Sequence, residues 1–139
     1  MTDMVEFELV SPQRLMKALS VGMVVVPCAE GDIGVLPGHS PLIGTVRPGV
    51  VDIHNGGKVT ERIFVSGGFV EVTAERCTLL AEEAVMVADL KADEAQARLT
   101  AAKAALEKAT TDIEKGHASA ELATAEAMLA ATGAAAAAH

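Results

Sequence analysis

Apolar and polar residues alternate along the first part of the chain, up to about Asp89. In Val5-Glu6-Phe7-Glu8-Leu9 the apolar side chains fall on one face and both glutamates on the other, the period-2 pattern of a half-buried strand. Val50-Val51-Asp52-Ile53 runs into His54-Asn55-Gly56-Gly57 and out through Lys58-Val59-Thr60-Glu61-Arg62-Ile63-Phe64-Val65. The Asn-Gly step predicts a hairpin there, because a type I′ turn needs positive φ at both central residues. Ser66-Gly67-Gly68 marks a further turn, and 69–73 with 77–81 read as another hairpin. Short antiparallel strands in this number predict a sandwich or barrel.

Beyond Asp89 the period changes. Leu99, Leu106 and Ile113 recur every seven residues, with Ala95, Ala102 and Ala109 four before each, which draws a narrow Leu/Ala seam along one helical face. Asp89 is the predicted N-cap, and Asp93 and Glu94 lie near the positive end of the helix dipole. Gly116 is expected to end this helix in a left-handed cap. Ser119 would then cap a second, short helix with the seam Leu122, Ala125, Leu129, ending at Thr132-Gly133. The run 134–138 with His139 is expected to fray. An Ala offers little side chain to bury, so the helix pair should be the mobile part of the molecule.

Composition sharpens the division. The first segment is rich in Val, Gly and Pro; the second has no Pro and is dominated by Ala. The expected fold is β then α: an N-terminal antiparallel β-sandwich (1–88) followed by a C-terminal antiparallel two-helix hairpin (89–139). Segregation of strands from helices argues against parallel βαβ units. With 139 residues, 50% of them apolar, the chain can build one core and a short appendage. Three Phe, no Tyr and no Trp leave few stacking platforms for single-stranded nucleic acid, and a net charge of −8 repels phosphate backbones. Nucleic acid is therefore not an expected partner. Cys28 and Cys77 read as buried thiols of a reducing compartment. No segment approaches the ~20 continuous apolar residues of a bilayer span, and Met-Thr-Asp-Met-Val-Glu has neither basic start nor apolar signal core. No direct membrane insertion is expected.

Candidate chemistry concentrates in Glu30-Gly31-Asp32-Ile33-Gly34-Val35-Leu36-Pro37-Gly38-His39-Ser40-Pro41-Leu42. A catalytic reading takes His39 as base and Ser40 as nucleophile. Adjacent residues of an extended segment point to opposite faces, however, and Gly-x-Ser-x-Gly is absent. A stiff Gly/Pro loop that displays polar groups is the better account. His39, His54, His117 and His139 lack ligand spacing, and the cysteines form no CxxC pair, so no metal is expected. Glu82-Glu83 and Asp93-Glu94 read as solvated charge. No Gly-rich phosphate loop ends in Lys-Ser or Lys-Thr. Residue types alone indicate a binding or structural part without cofactor or reaction centre.

The stretch Gly31-Asp32-Ile33-Gly34-Val35-Leu36-Pro37-Gly38-His39-Ser40-Pro41-Leu42, then Arg47-Pro48-Gly49-Val50-Val51, then Val65-Ser66-Gly67-Gly68-Phe69-Val70-Glu71-Val72, resembles the epsilon subunit of bacterial F-type ATP synthase. The opening Phe7-Glu8-Leu9-Val10-Ser11-Pro12 fits as well. The resemblance implies a flattened ten-stranded sandwich at the foot of the central stalk and a helical hairpin beyond it. It implies a non-catalytic rotor subunit that binds the gamma subunit and the c ring, coupling proton-driven rotation to ATP synthesis. It also implies a peripheral location on the cytoplasmic face of the bacterial inner membrane. Asp32 matches the acidic position facing the c ring, and Ser11 and His39 match positions facing gamma. The C-terminal helices would meet the alpha and beta catalytic subunits. A free-standing ligand- or partner-binding β-sandwich with a helical tail and a small hydrolase acting through Ser40 stand as the alternatives.

Two features depart from that family. Some members bind ATP through Ile/Leu-Asp-x-x-Arg-Ala. Here Ala92-Asp93-Glu94-Ala95-Gln96-Ala97 puts Gln96 in place of the arginine and Ala92 in place of the branched residue. Ala92, Asp93, Gln96 and Ala97 thus form a degenerate motif, and without a guanidinium the triphosphate loses a charge-assisted partner. Inhibitory members set basic residues of the second helix against an acidic segment of beta. Residues 118–131 carry Glu121 and Glu126 and neither Lys nor Arg. Weak nucleotide binding and weak inhibition are the expectations.

Overall fold

A computed structural model describes residues 4–137, with side chains as far as Gly133. The chain divides into two compact units that part between Met86 and Val87. Strands β1 (Val5–Val10), β2 (Leu15–Val21), β3 (Met23–Cys28), β4 (Gly31–Val35) and β5 (Leu42–Val46) open the first unit. Strands β6 (Gly49–Asn55), β7 (Lys58–Val65), β8 (Gly68–Val72), β9 (Arg76–Ala81) and β10 (Ala84–Met86) complete it. They form one ten-stranded sheet in the order β10-β7-β6-β3-β5-β8-β9-β1-β2, with β4 paired to β3 beside that path. The sheet folds over on itself: Lys17 on β2, at one end of the path, ion-pairs with Glu61 on β7, near the other.

The inner faces enclose one core. Phe7, Leu9, Val24, Val26, Val51, Ile53, Ile63 and Leu79 all belong to it and are no more than 1% exposed. Each such side chain contributes ~1.5–3 kcal/mol by leaving water, which is how a sandwich with so few aromatics holds together. The free thiols of Cys28 and Cys77 are buried here, as expected. Burial pushes the Cys77 thiol up to about 12, with the nearby Cys28 adding to the rise.

Pairing is antiparallel with one exception. β1 lies parallel to β9, in register from Glu6↔Arg76 to Val10↔Leu80. Alternation along a strand shows which face is inward but carries no information on a partner some seventy positions away. The hairpin between β6 and β7 forms where the sequence predicts, but one residue later. Asn55 pairs with Lys58, so the central residues are Gly56 (φ +61°) and Gly57 (φ +79°). Two glycines hold the positive φ more cheaply than an asparagine and a glycine would. Asn55 is freed to accept the Gly22 N–H at 2.9 Å. The segment 31–35, expected to be loop, is instead strand β4, pairing from Val24↔Val35 to Cys28↔Gly31. Ile33 and Val35 alternate with polar and glycine positions, so the local signal for a strand was present.

In the second unit a 3-10 turn, Val87–Asp89, precedes α1 (Ala92–Lys108) and α2 (Asp112–Ala137). Asp89 is not the N-cap; Lys91 occupies that position, because Asp89 is taken up in the preceding turn. Gly116 and Ser119 do not mark the break between helices either, and both lie inside α2. The chain turns at 109–111. Thr111 and Glu114 form a capping pair: the Thr111 hydroxyl accepts the Glu114 N–H at 3.1 Å, and the Glu114 carboxylate accepts the Thr110 N–H at 3.4 Å. This cap starts α2 early, breaks the heptad register and leaves Ile113 76% exposed. Ala95, Leu99 and Ala102 of α1 are buried, as are Ala118, Thr124, Ala125, Met128 and Ala131 of α2. Arg98 and Glu121 join the two helices through an ion pair of 2.6 Å. α2 does not end at Thr132-Gly133; its backbone stays helical to Ala137, while Ala138 and His139 lie outside the described residues.

Candidate docking site

β5, β8 and β9 are adjacent, and their outward positions align in rows. Thr45 lies opposite Phe69, and Phe69 opposite Leu80; Ile43 lies opposite Glu71. The Leu80 row continues across the parallel pair to Val10 and from there to Leu15 on β2. Ile43 is 75% exposed, Phe69 59%, Leu15 56% and Leu80 52%. Four large apolar side chains on neighbouring strands of one outer face are a patch that a solitary protein has reason to avoid. The alternation itself marks them. Val70 and Val72 point inward, so Phe69 between Gly68 and Val70 must point out; Leu79 points inward, so Leu80 points out.

Ser11 borders this face. A shallow groove is lined by Val10, Ser11, Pro12, Phe69 and Leu80. Ser11 itself is nearly buried and shapes the turn: its N–H donates to the Arg14 carbonyl at 2.9 Å and its hydroxyl reaches the same oxygen at 3.3 Å. Asp32 lies on β4 and lines a cleft of about 500 Å³ together with Cys28, Glu30, Ile33, Ile43 and Thr45. Ile43 thus belongs both to the cleft and to the apolar face. The Asp32 carboxylate accepts from Arg47 at 2.6 Å. Burial raises the Cys28 thiol pKa in the cleft wall, Arg47 opposes the rise, and Asp32 adds to it.

His39 belongs to the loop 36–41 between β4 and β5, which the Gly38 N–H ties to the Ala74 carbonyl at 2.8 Å. Its Nδ1–H donates to the Ser40 carbonyl at 2.7 Å. The histidine therefore meets the backbone of Ser40 and not its hydroxyl, the wrong geometry for a base and nucleophile. Ser11, Asp32 and His39 are not gathered into one cluster. Ser11 borders the apolar face at the β1–β2 turn, Asp32 lies in the cleft beside it, and His39 belongs to the loop tied to the β8–β9 turn. Among the described residues no group of three or more His, Cys, Asp or Glu could hold a metal ion. No described helix is long and apolar enough to cross a membrane. The exposed Ile43, Phe69 and Leu80, and the Arg47 partner of Asp32, were not singled out from sequence.

The chain is thus a β-sandwich with an apolar outer face and a polar corner beside it, followed by a helical hairpin. Residues 4–87 match the family described as ATP synthase, Delta/Epsilon chain, beta-sandwich domain. The chain belongs to this family, on its bacterial epsilon side. It is 59% identical over 90 residues to the ATP synthase epsilon chain of Paramagnetospirillum magneticum, covering 65% of this chain and 68% of that one. To the epsilon chain of Rhodospirillum rubrum it is 61% identical over 84 residues, covering 60% and 63%. The aligned stretch thus spans about two thirds of these relatives' length. Among solved structures, a chain of the Euglena gracilis mitochondrial ATP synthase assembly of OSCP, F1 and c-ring is similar at a TM-score of 0.80 and 21% identity, over 94% of this chain and 82% of that one. A chain of the Tetrahymena thermophila mitochondrial ATP synthase central stalk and c-ring gives 0.70 and 17%, over 92% and 96%. These two likenesses concern the fold.

Proposed function

We propose that this chain is a non-catalytic rotor part of a proton-translocating ATP synthase, docking on the gamma subunit and the c ring and turning with them. The apolar face of Ile43, Phe69, Leu80 and Leu15 carries this reading. It is an unpaired surface on a rigid sheet, and burying such side chains against a partner supplies the main drive for association. Gamma covers that face, with Ser11 shaping its rim and His39 joining from the loop. Asp32 meets the polar loops of the c ring. The complex lies peripherally on the cytoplasmic face of the bacterial inner membrane.

A stiff sheet suits the task, because torque passes through a body that does not yield and little ordering entropy is lost on docking. The helical unit plays a lesser part. Gln96 and Ala97 are exposed at the start of α1 with no arginine between them and Asp93, so ATP is held weakly or not at all. Glu121 is engaged by Arg98, and α2 offers an acidic partner on beta a single lysine, Lys115 near its start, with no Lys or Arg between 118 and 131, so restraint of hydrolysis is slight.

The test is reconstitution of the full chain with catalytic core and stripped membrane vesicles. Ile43→Glu with Phe69→Glu places two charges in the face. The variant should fold, since both sites are exposed, yet fail to restore ATP-driven proton pumping. Asp32→Lys should weaken coupling through the c ring. Normal pumping by the Ile43/Phe69 variant overturns the proposed face.

A further inference from the structure

Two residues of the cleft beside the apolar face, Cys28 and Asp32, are held by an arginine whose role no motif announces. Arg47 follows β5 and reaches back over the β3–β4 hairpin. One guanidinium nitrogen donates to the Cys28 carbonyl, and another to Asp32 Oδ1 at 2.6 Å. Its own N–H donates to the Pro27 carbonyl at 2.9 Å, and the Ala29 N–H to the Thr45 carbonyl at the same distance. Behind it the chain is packed tightly: a Cβ at Gly49 would lie 3.0 Å from the Pro27 ring. The Arg47 backbone is therefore fixed, and its side chain bridges the two strands of the hairpin that turns through Gly31 at φ +135°.

We propose that Arg47 is the positioning residue of the docking corner, bridging the Cys28 carbonyl and the Asp32 carboxylate so that Asp32 meets its partner in one orientation. Arg47 engages Oδ1, and the Asp32 side chain remains 59% exposed, which leaves the carboxylate free to accept a further hydrogen bond from a donor on the partner. The planar fork serves both acceptors at once, whereas a lysine ammonium, as a point charge on a flexible stem, is not pre-organised to do so. Without Arg47 the carboxylate samples other rotamers and must be ordered at the moment of docking.

This rests on the proposed contact of Asp32 with the c ring, and a double-mutant cycle separates the two. Full-length wild type, Asp32→Ala, Arg47→Ala, Arg47→Lys and the Asp32→Ala/Arg47→Ala pair are each assembled into catalytic core, and rebinding to stripped vesicles is titrated. Arg47→Ala should weaken rebinding about fivefold, the upper range for ordering one exposed charged pair. Arg47→Lys should fall between Arg47→Ala and wild type. In the Asp32→Ala background, loss of Arg47 should cost nothing further, because its effect acts through that carboxylate. A full additional loss there, or wild-type rebinding of Arg47→Ala, overturns the positioning role while leaving the Asp32 contact standing. Wild-type rebinding of Asp32→Ala overturns the contact, and the positioning role with it. Thermal unfolding of each free variant provides the check on folding.

Discussion

Gly68 opens β8 with φ +139°, a backbone conformation that L side chains rarely adopt. A Cβ there would overlap the Leu80 carbonyl oxygen and come within 2.9 Å of the Leu80 carbonyl carbon and 3.1 Å of the Ala81 Cα. These are backbone atoms of the paired strand β9, and no rotamer change relieves them. Gly68→Ala therefore adds strain of ~1–3 kcal/mol from φ alone. It must also push β8 from β9 at the Gly68↔Ala81 pair, loosening the nearby Glu82 N–H to Gly67 carbonyl bond of 3.0 Å. Each ladder bond lost costs ~1 kcal/mol, so the total is about 3–5 kcal/mol, a large share of the ~5–15 kcal/mol available to a domain. Urea unfolding followed by circular dichroism should show the midpoint falling by about 2 M, given slopes of ~1–3 kcal/mol/M. Gly57→Ala is the control: its φ is +79°, but nothing lies within 4 Å of the added carbon. It should cost only the left-handed strain of ~1–2 kcal/mol. Equal losses for the two variants would refute the argument from overlap, and a Gly68→Ala protein within 1 kcal/mol of wild type would refute both terms.

Further outcomes follow from other parts of the molecule. Burial raises the Cys77 thiol from 9.0 to about 12, so the folded state keeps its proton after the unfolded chain has lost it. The stability this supplies is full below pH 9 and falls as pH rises toward 12, by about 1 kcal/mol between pH 9 and 10; urea melts should show the decline reduced in Cys77→Ala. Leu99→Ala removes a side chain only 8% exposed and should destabilise the helical unit by ~2–3 kcal/mol, read as faster proteolysis after residue 87, whereas Ile113→Ala should change little. Calorimetry of the full chain with ATP should give no micromolar binding, because Gln96 supplies no guanidinium. Removal of residues 116–139 should leave ATP hydrolysis by the assembled enzyme nearly unchanged; a large rise would show that the acidic second helix restrains the catalytic sites after all.

Much of the fold was written locally. The β1 pattern placed Val5, Phe7 and Leu9 inward and its glutamates outward, where Glu8 meets Arg76. The Gly-rich step after His54 marked its hairpin to within one residue. The capping pair Thr111 and Glu114 was equally local, yet Gly116 drew attention first; a glycine permits a helix to end but does not oblige it to, whereas two satisfied N–H groups define a start. The docking corner was half legible. The family resemblance singled out Asp32, but not its pairing with Arg47 across fifteen positions.

Sequence alone determined the inward face of the alternating strands and the region where β gives way to helix, because periodicity and turn chemistry act over a few neighbours. Tertiary structure decided that β1 lies parallel to β9, that Ile43, Phe69, Leu80 and Leu15 join into one surface, and that Arg47 grips Asp32. Those outcomes depend on how distant strands close into a sheet, and a chain's local preferences are the same whichever partner it finds.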